Sequence, residues 1–264
     1  YDAAIAGLCM LYVTHGEASA FPGIAPIMLY HAQSNSIRGY VGVGKAPALA
    51  TIERFKEKEY TTVPKMHIYA QLLPGGPDAI IAILQEYGTM SFADLAQPAI
   101  DRALEGFPVH HVMHYNLNLS LVERLGFSYM LPYNGEVYLN NKPWKPIYLK
   151  ERFQRPDLAK TLSFLSDAEN TALANGQSRA EALTAVRTAF YDGPIAEAID
   201  AFHIDNNGLI RKSDLSKYSG EWEQPQSGRF GEYEILTNGP WSQGMTLSMA
   251  LNILYNVDLK SMGR

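Results

Sequence analysis

The chain begins with a continuous hydrophobic pattern. Asp2 to Val13 is apolar on all helical faces, which predicts an interior helix kept from water. Ile24 to Tyr30 and Ile37 to Val43 are apolar runs bounded by Gly, Pro, Asn and Ser, the pattern of strands. Ala50 to Tyr60 turns charged and helix-like, and the Lys and Glu residues from Glu53 to Glu59 describe a solvated face. At Pro77 the period becomes helical. Pro77 and Asp78 suit a first turn, Ile80, Ile81, Ile83 and Leu84 supply an apolar face, and Gly88 fits the stop. Ser91 with Asp94 three residues on predicts a capped second helix that Gly106 closes. A third helix is predicted from Val109 to Leu125, stopped by Gly126.

Leu131 to Trp144 is rich in Pro, Asn, Gly and Tyr and reads as a long loop with one strand around Val137 to Leu139. Helical periodicity returns at Asp157 to Ala168, at Ser178 to Tyr191 with Glu181 placed to complete a cap, and at Ile195 to Phe202. Phe230 to Leu236 alternates like a strand, and Thr246 to Tyr255 is a last apolar helix. There is no internal repeat, and the residues by themselves describe a helix-rich chain of mixed α and β elements.

Composition narrows the classes. With 264 residues and 47% hydrophobic content, the chain can bury one large core or two small ones, which excludes disorder. A net charge of −5 gives no basic footprint, so neither nucleic acid nor an anionic membrane is an expected partner. The single cysteine, Cys9, excludes an intrachain disulfide. The longest apolar run, Ala3 to Val13, is shorter than the roughly 20 residues that span a bilayer. The chain opens on Tyr1-Asp2-Ala3-Ala4 without Met or a basic leader, so its true start is expected upstream. Cytoplasm and periplasm both stay open as compartments.

Three patterns imitate ligand sites. Gly39-Tyr40-Val41-Gly42-Val43-Gly44-Lys45-Ala46 nearly spells a phosphate loop, but Ala46 lacks the hydroxyl that would hold Mg²⁺, and Pro47 lacks an amide N–H. A glycine-containing strand end is expected instead. His203-Ile204-Asp205-Asn206-Asn207-Gly208-Leu209-Ile210 with Asp214 echoes a calcium loop, yet His203 and Arg211 stand at ligand positions; a turn between helices is expected. His110, His111 and His114 include an i, i+4 pair suited to zinc, but no Glu follows His110, so a histidine cluster without metal is expected.

Several short motifs come together in one order. They are Leu73-Pro74-Gly75-Gly76-Pro77, Tyr87-Gly88-Thr89-Met90, Gln97-Pro98-Ala99-Ile100 and Glu105-Gly106-Phe107-Pro108-Val109, then Arg155-Pro156-Asp157-Leu158 and Tyr191-Asp192-Gly193-Pro194-Ile195-Ala196. Gly208-Leu209-Ile210, Gly239-Pro240-Trp241-Ser242-Gln243-Gly244 and Leu251-Asn252-Ile253-Leu254 complete the series. In order and spacing they resemble the large subunit of the gamma-glutamyltransferase family over nearly the whole chain. The resemblance implies an α+β N-terminal-nucleophile hydrolase, a four-layer αββα sandwich, with residues 1–264 as a single-domain part of the large subunit.

The resemblance also implies self-cleavage, after which the new N-terminal Thr of a small subunit is the nucleophile and its own amine the base. No catalytic residue is then expected in this chain. Thr14-His15 and Thr61-Thr62 are internal and away from the family's cleavage point, and the large subunit is expected to continue past Arg264. Neither metal nor cofactor is implied. The implied partners are the small subunit and a small-molecule amide substrate; a dimer of such heterodimers is left open.

The family's Arg-Glu-x-Ala-Pro segment, whose Arg pairs with the substrate's alpha-carboxylate, reads Val43-Gly44-Lys45-Ala46-Pro47 here. Val43 cannot make that pair, and the Lys45 ammonium does not reproduce the guanidinium fork. The glycine-rich segment is also altered, to Phe21-Pro22-Gly23-Ile24-Ala25-Pro26, and Trp241 and Gln243 stand where the transferases are proline- and serine-rich. Val43, Lys45, Ser242, Gln243 and Gly244 are the expected substrate-binding positions. The expected activity is amide hydrolysis by an acylase-like enzyme not specific for gamma-glutamyl groups. A true gamma-glutamyltransferase or hydrolase and a non-catalytic binding homologue are the alternatives.

Overall fold

The computed structural model describes residues 1–65, 67–259 and 261–263; Arg264, past which more large subunit is expected, lies outside the described residues. In chain order the elements are α1 (Asp2–Thr14), β1 (Ala25–His31), β2 (Ser36–Gly42), α2 (Ile52–Lys56), α3 (Gly76–Tyr87), α4 (Phe92–Glu105) and β3 (Phe107–Pro108). There follow α5 (His111–Leu117), α6 (Leu121–Met130), α7 (Pro132–Leu139), β4 (Arg152–Phe153), α8 (Pro156–Ala174) and α9 (Arg179–Tyr191). The last are α10 (Pro194–Asp205), α11 (Lys212–Lys217), β5 (Glu221–Glu223), β6 (Gln226–Phe230), β7 (Tyr233–Thr237) and α12 (Gly244–Leu254). The described strands form antiparallel sheets ordered β1-β2-β5, β3-β4 and β6-β7, so the class is α+β. The chain divides into two compact units, Tyr1–Phe21 with Ile80–Phe190, and Pro22–Ala79 with Tyr191–Arg264.

The first unit is built on α4, which packs against both α1 and α8. Phe92, Leu95, Ala96, Ala99, Ile100 and Ala103 recur at helical spacing and are buried, while Pro98 falls on the exposed side. The start of α4 is capped twice. Ser91 Oγ accepts from Asp94 N at 3.0 Å, and the fully buried Glu169 of α8 accepts from Phe92 N at 3.0 Å and Ala93 N at 2.8 Å. A carboxyl group at a helix N-terminus satisfies amides that have no partner within the helix.

Four expected elements differ from what forms. Helix α1 buries Ile5, Cys9, Tyr12 and Val13 but leaves Gly7 and Leu11 exposed, so it has a wet face despite its apolar composition. The helix expected from Val109 to Leu125 is two helices, because Ser120 and Glu123 form a reciprocal capping box that starts α6 afresh. Gly126 lies inside α6 rather than ending it. Leu131 to Trp144 is not a loop with a strand: Pro132 opens α7 from its first turn, and Asn140, at φ 48°, ends it. The strand expected from Phe230 to Leu236 forms only from Tyr233, as β7; Phe230 ends its hairpin partner β6, and the turn between them passes Gly231 at φ 64°.

In the second unit β1 and β2 pair from Ala25 opposite Gly42 to His31 opposite Ser36, and β5 adds to β2 with Tyr40 opposite Trp222. Asp78, in the first turn of α3, is 3% exposed. Its carboxyl accepts from the Tyr40 hydroxyl at 2.5 Å and from Gly220 N at 2.8 Å. Its amide donates to the Tyr191 hydroxyl at 3.1 Å, and that hydroxyl donates to Pro74 O at 2.7 Å.

Two outcomes follow from burial. Glu169→Ala strands two amides and is expected to lower the unfolding free energy by about 3 kcal/mol, with Glu169→Gln costing roughly half as much because one acceptor oxygen remains; urea unfolding measures both. Burial pushes the Cys9 thiol up to about 12, so a thiol reagent at neutral pH is expected to label it only after denaturation.

Candidate functional site

The sequence-predicted positions lie in two segments, each of which meets a Glu of β5. The first leaves β2 at Gly42 and runs extended through Val43, Gly44 and Lys45. Here the backbones are in contact: Leu73 N donates to Lys45 O at 3.0 Å, and a Cβ on Gly44 would fall on the Leu73 carbonyl. A Cβ on Gly75 would likewise overlap the Gly42 carbonyl, while Gly75 N and Gly76 N donate to Gly23 O at 3.1 and 2.7 Å. The Leu73-Pro74-Gly75-Gly76 motif is therefore a backbone-to-backbone seam that only glycine can close.

Val43 is half-buried, and Lys45 projects into solvent. The Lys45 ammonium lies 3.2 Å from Glu221 Oε1, with 63% and 72% of the two side chains exposed. Such a pair is worth about 0–1 kcal/mol, so it orients Lys45 without locking it.

The second segment is Gly239 to Gly244. Ser242 Oγ donates to Gly239 O at 2.9 Å and accepts from Gly244 N at 3.1 Å, closing the turn that enters α12. Gln243 is the exposed N-cap residue of α12 and makes no capping bond through its side chain. Gly244 has no room for a side chain, since a Cβ would lie 2.6 Å from Thr237 Cβ and 2.8 Å from Asn238 O.

Glu223 holds this segment. Its Oε1 accepts from Gly239 N at 3.0 Å and its Oε2 from the Trp241 indole at 2.9 Å. Glu221 and Glu223 are two apart on one strand and so share a face, opposite Val41 and Gly39 of β2. Sequence reasoning missed both. The signal was the alternation Glu221-Trp222-Glu223, too short to register as a strand before the pairing with β2 is known.

Gly39 and Gly42 belong to β2, and the next helix, α2, begins only at Ile52. His203 is buried in α10, where desolvation and then the Arg211 charge push its imidazole below the usual histidine range. Asp214, the acidic end of the calcium-like loop, instead accepts from Arg211 N at 3.0 Å and Ala48 N at 3.2 Å. His110 is the N-cap of α5 and accepts from Met113 N at 3.2 Å, so its side chain is committed away from His114.

The family model described as gamma-glutamyltranspeptidase matches residues 1–264. A glutathione hydrolase-like proenzyme of Bacillus subtilis is 29% identical over 262 residues, which are 98% of this chain and 45% of that protein. An acylase proenzyme of Pseudomonas is 27% identical over 99% of this chain and 44% of its own length. The chain thus spans less than half of these relatives. Among solved structures, the gamma-glutamyltranspeptidase of Helicobacter pylori superposes with a TM-score of 0.82 at 27% identity, over 99% of this chain and 70% of that one. The cephalosporin acylase of Bacillus halodurans shares the fold with a TM-score of 0.82 at 24% identity, over 98% of this chain and 45% of its own.

Removing the Glu223 carboxylate takes two acceptors from the Gly239–Gly244 turn. Glu223→Ala is expected to speed hydrogen exchange there about tenfold, the equivalent of roughly 1.4 kcal/mol, and to shift Trp241 fluorescence. Glu221→Ala should leave both unchanged. Equal exchange in wild type and Glu223→Ala would remove Glu223 from its anchoring role.

Proposed function

The chain belongs to the gamma-glutamyltranspeptidase family, and from that membership we propose that it is the large-subunit part of a self-processing amide hydrolase of the acylase kind. The nucleophile is the N-terminal Thr of a partner chain. Its hydroxyl adds to the substrate carbonyl as its own amine takes the proton, backbone amides hold the oxyanion, and water later releases the acyl group. Two observations support a partner. The relatives named above are proenzymes more than twice as long as the matched region. No residue of α12 is buried, and Met245, Leu247, Met249, Ile253 and Leu254 are all exposed apolar groups on one short helix, a surface that a partner chain would cover.

The substrate reading rests on one observation, the seam at Val43-Gly44-Lys45. Val43 brings no charge to the place where the family resemblance calls for a carboxylate-binding Arg. Gly44 cannot be enlarged, because the Leu73 carbonyl occupies the position of its Cβ. The substrate on this reading is an acyl group without the alpha-amino acid headgroup, with Val43, Ser242, Gln243 and Gly244 as its contacts from this chain. A second reading is favoured by Lys45: its weak pair with Glu221 is open to exchange, so its ammonium is available for a substrate carboxylate.

Intact mass spectrometry with N-terminal sequencing of the natively purified protein is expected to find a second chain beginning with Thr. Finding this chain alone would defeat the catalytic reading and bring the non-catalytic binding homologue forward. Turnover of simple acyl amides is expected to exceed that of a gamma-glutamyl anilide, and rapid glutamate release with saturation at low concentration would reverse that order. Lys45→Ala is expected to leave acyl-amide kinetics unchanged. A KM for the gamma-glutamyl anilide that rises about tenfold at constant kcat would instead give Lys45 the carboxylate contact, since loss of binding shared by ground and transition states moves KM alone.

A further inference from the structure

We propose that His15, Glu17 and His110 form a binding site for a divalent transition metal of the zinc class. The three come from two places in the first unit: His15 and Glu17 from the turn after α1, and His110 from the N-cap of α5. One ligand atom from each lies within 4.8 Å of the other two. His15 Nδ1 is 2.7 Å from Glu17 Oε1, and His110 Nε2 is 3.8 Å from the same oxygen. Ligands bound tetrahedrally at 2.0–2.1 Å stand roughly 3.3 Å apart, so these separations bracket the required value.

Hydrogen bonding alone leaves the cluster incomplete. The Glu17 side chain is 3% exposed, and its Oε2 is buried without a hydrogen-bond partner. A buried carboxyl oxygen calls for a donor or a cation. The two imidazoles supply the nitrogen donors that a borderline cation prefers to an all-oxygen shell, and two His with one Glu is an established zinc ligand set.

The turn is also held in place before any ion arrives. The Tyr138 hydroxyl donates to Gly16 O at 2.7 Å, the Arg155 guanidinium lies over the Tyr138 ring at 5.5 Å, and the space beside Gly16 Cα is filled by Arg155. Preorganisation of this kind keeps the ligands from collapsing onto other partners.

Loading rearranges protons without consuming any. His110 Nδ1 accepts from Met113 N, so its proton sits on Nε2, facing Thr14 O at 2.9 Å. As the metal takes Nε2, that proton moves to Nδ1, and the 3.2 Å capping bond to Met113 N is given up. His15 likewise passes its proton from Nδ1 to Nε2 through solvent. Thr14 O, already beside His110 Nε2, or a water completes four-coordination.

The test uses the full protein as purified, free of any histidine tag, stripped with chelator and dialysed against Zn²⁺ or Co²⁺. Wild type is expected to retain one metal per chain and to show the intense visible bands of tetrahedral Co²⁺. Glu17→Gln, nearly isosteric, and His15→Ala are each expected to weaken binding by at least about tenfold, whereas His114→Ala, outside the cluster, should bind as wild type. Circular dichroism of Glu17→Gln reports whether its fold persists, and the wild-type Co²⁺ spectrum stands independently of any variant. Failure of wild type to retain metal, unchanged affinity in a folded Glu17→Gln, or loss of binding in His114→Ala would each overturn the assignment.

Discussion

The second unit depends on keeping one buried carboxyl group satisfied. Asp78 is almost wholly removed from water, and an acid in that position is tolerated only if its oxygens find donors. Tyr40 on β2 and Gly220 just before β5 provide them. The Asp78 amide and the Tyr191 hydroxyl extend the same chain of bonds to Pro74. Moving any one of these segments would leave a buried polar group unpaired, a cost of about 1–3 kcal/mol for each group. The network therefore fixes where β2, the start of α3 and the approach to β5 stand; one candidate segment leaves β2, and Glu223 of β5 holds the other.

Much of this was legible in the sequence wherever a local rule governs. Pro77 and Asp78 at a first turn, Ser91 before α4 and Gly106 after it, at φ 86°, act through neighbours within a turn of chain. The Leu73-Pro74-Gly75-Gly76 motif was legible as a signature, but its reason was not. Gly75 is needed because the Gly42 carbonyl, more than thirty residues earlier in the chain, occupies the space of a Cβ. The failures share a cause of the opposite kind. Ser120 can sit in a helix or cap one, and the reciprocal bond with Glu123 decides for the cap. Pro132 and Gly135 read as loop residues, yet Pro132 falls at the first helical position, where its missing N–H costs nothing.

Of the candidate site, the sequence marks positions and carries none of their geometry. Val43, Lys45, Ser242, Gln243 and Gly244 could be marked because they depart from, or align with, a known pattern. That Lys45 meets Glu221, and that Glu223 holds Gly239 and Trp241, are contacts across about 180 and 16 to 18 residues of chain, which no local pattern encodes. His110 carries the same lesson for the first unit. Its i, i+4 spacing to His114 suggested one histidine pair, whereas capping turned its ring toward Thr14, His15 and Glu17.

The two faces of β2 and β5 divide the work in a way that follows from strand alternation. On one face Tyr40 and Trp222 stand opposite each other with ring centroids 4.8 Å apart, and Tyr40 continues into the Asp78 network. On the other face Gly39 and Val41 oppose Glu223 and Glu221. Gly39 has no side chain there, and the room is taken by Glu223, whose Cγ would lie 2.9 Å from a Cβ on residue 39. Gly39 on β2 thus lets the long acidic side chain of Glu223 on β5 lie across the sheet and reach the Gly239–Gly244 turn. A larger side chain at position 39 would displace Glu223 while leaving the Tyr40–Asp78 face intact. The framework and the two candidate segments are for that reason separable by mutation, although they share two strands of only a few residues each.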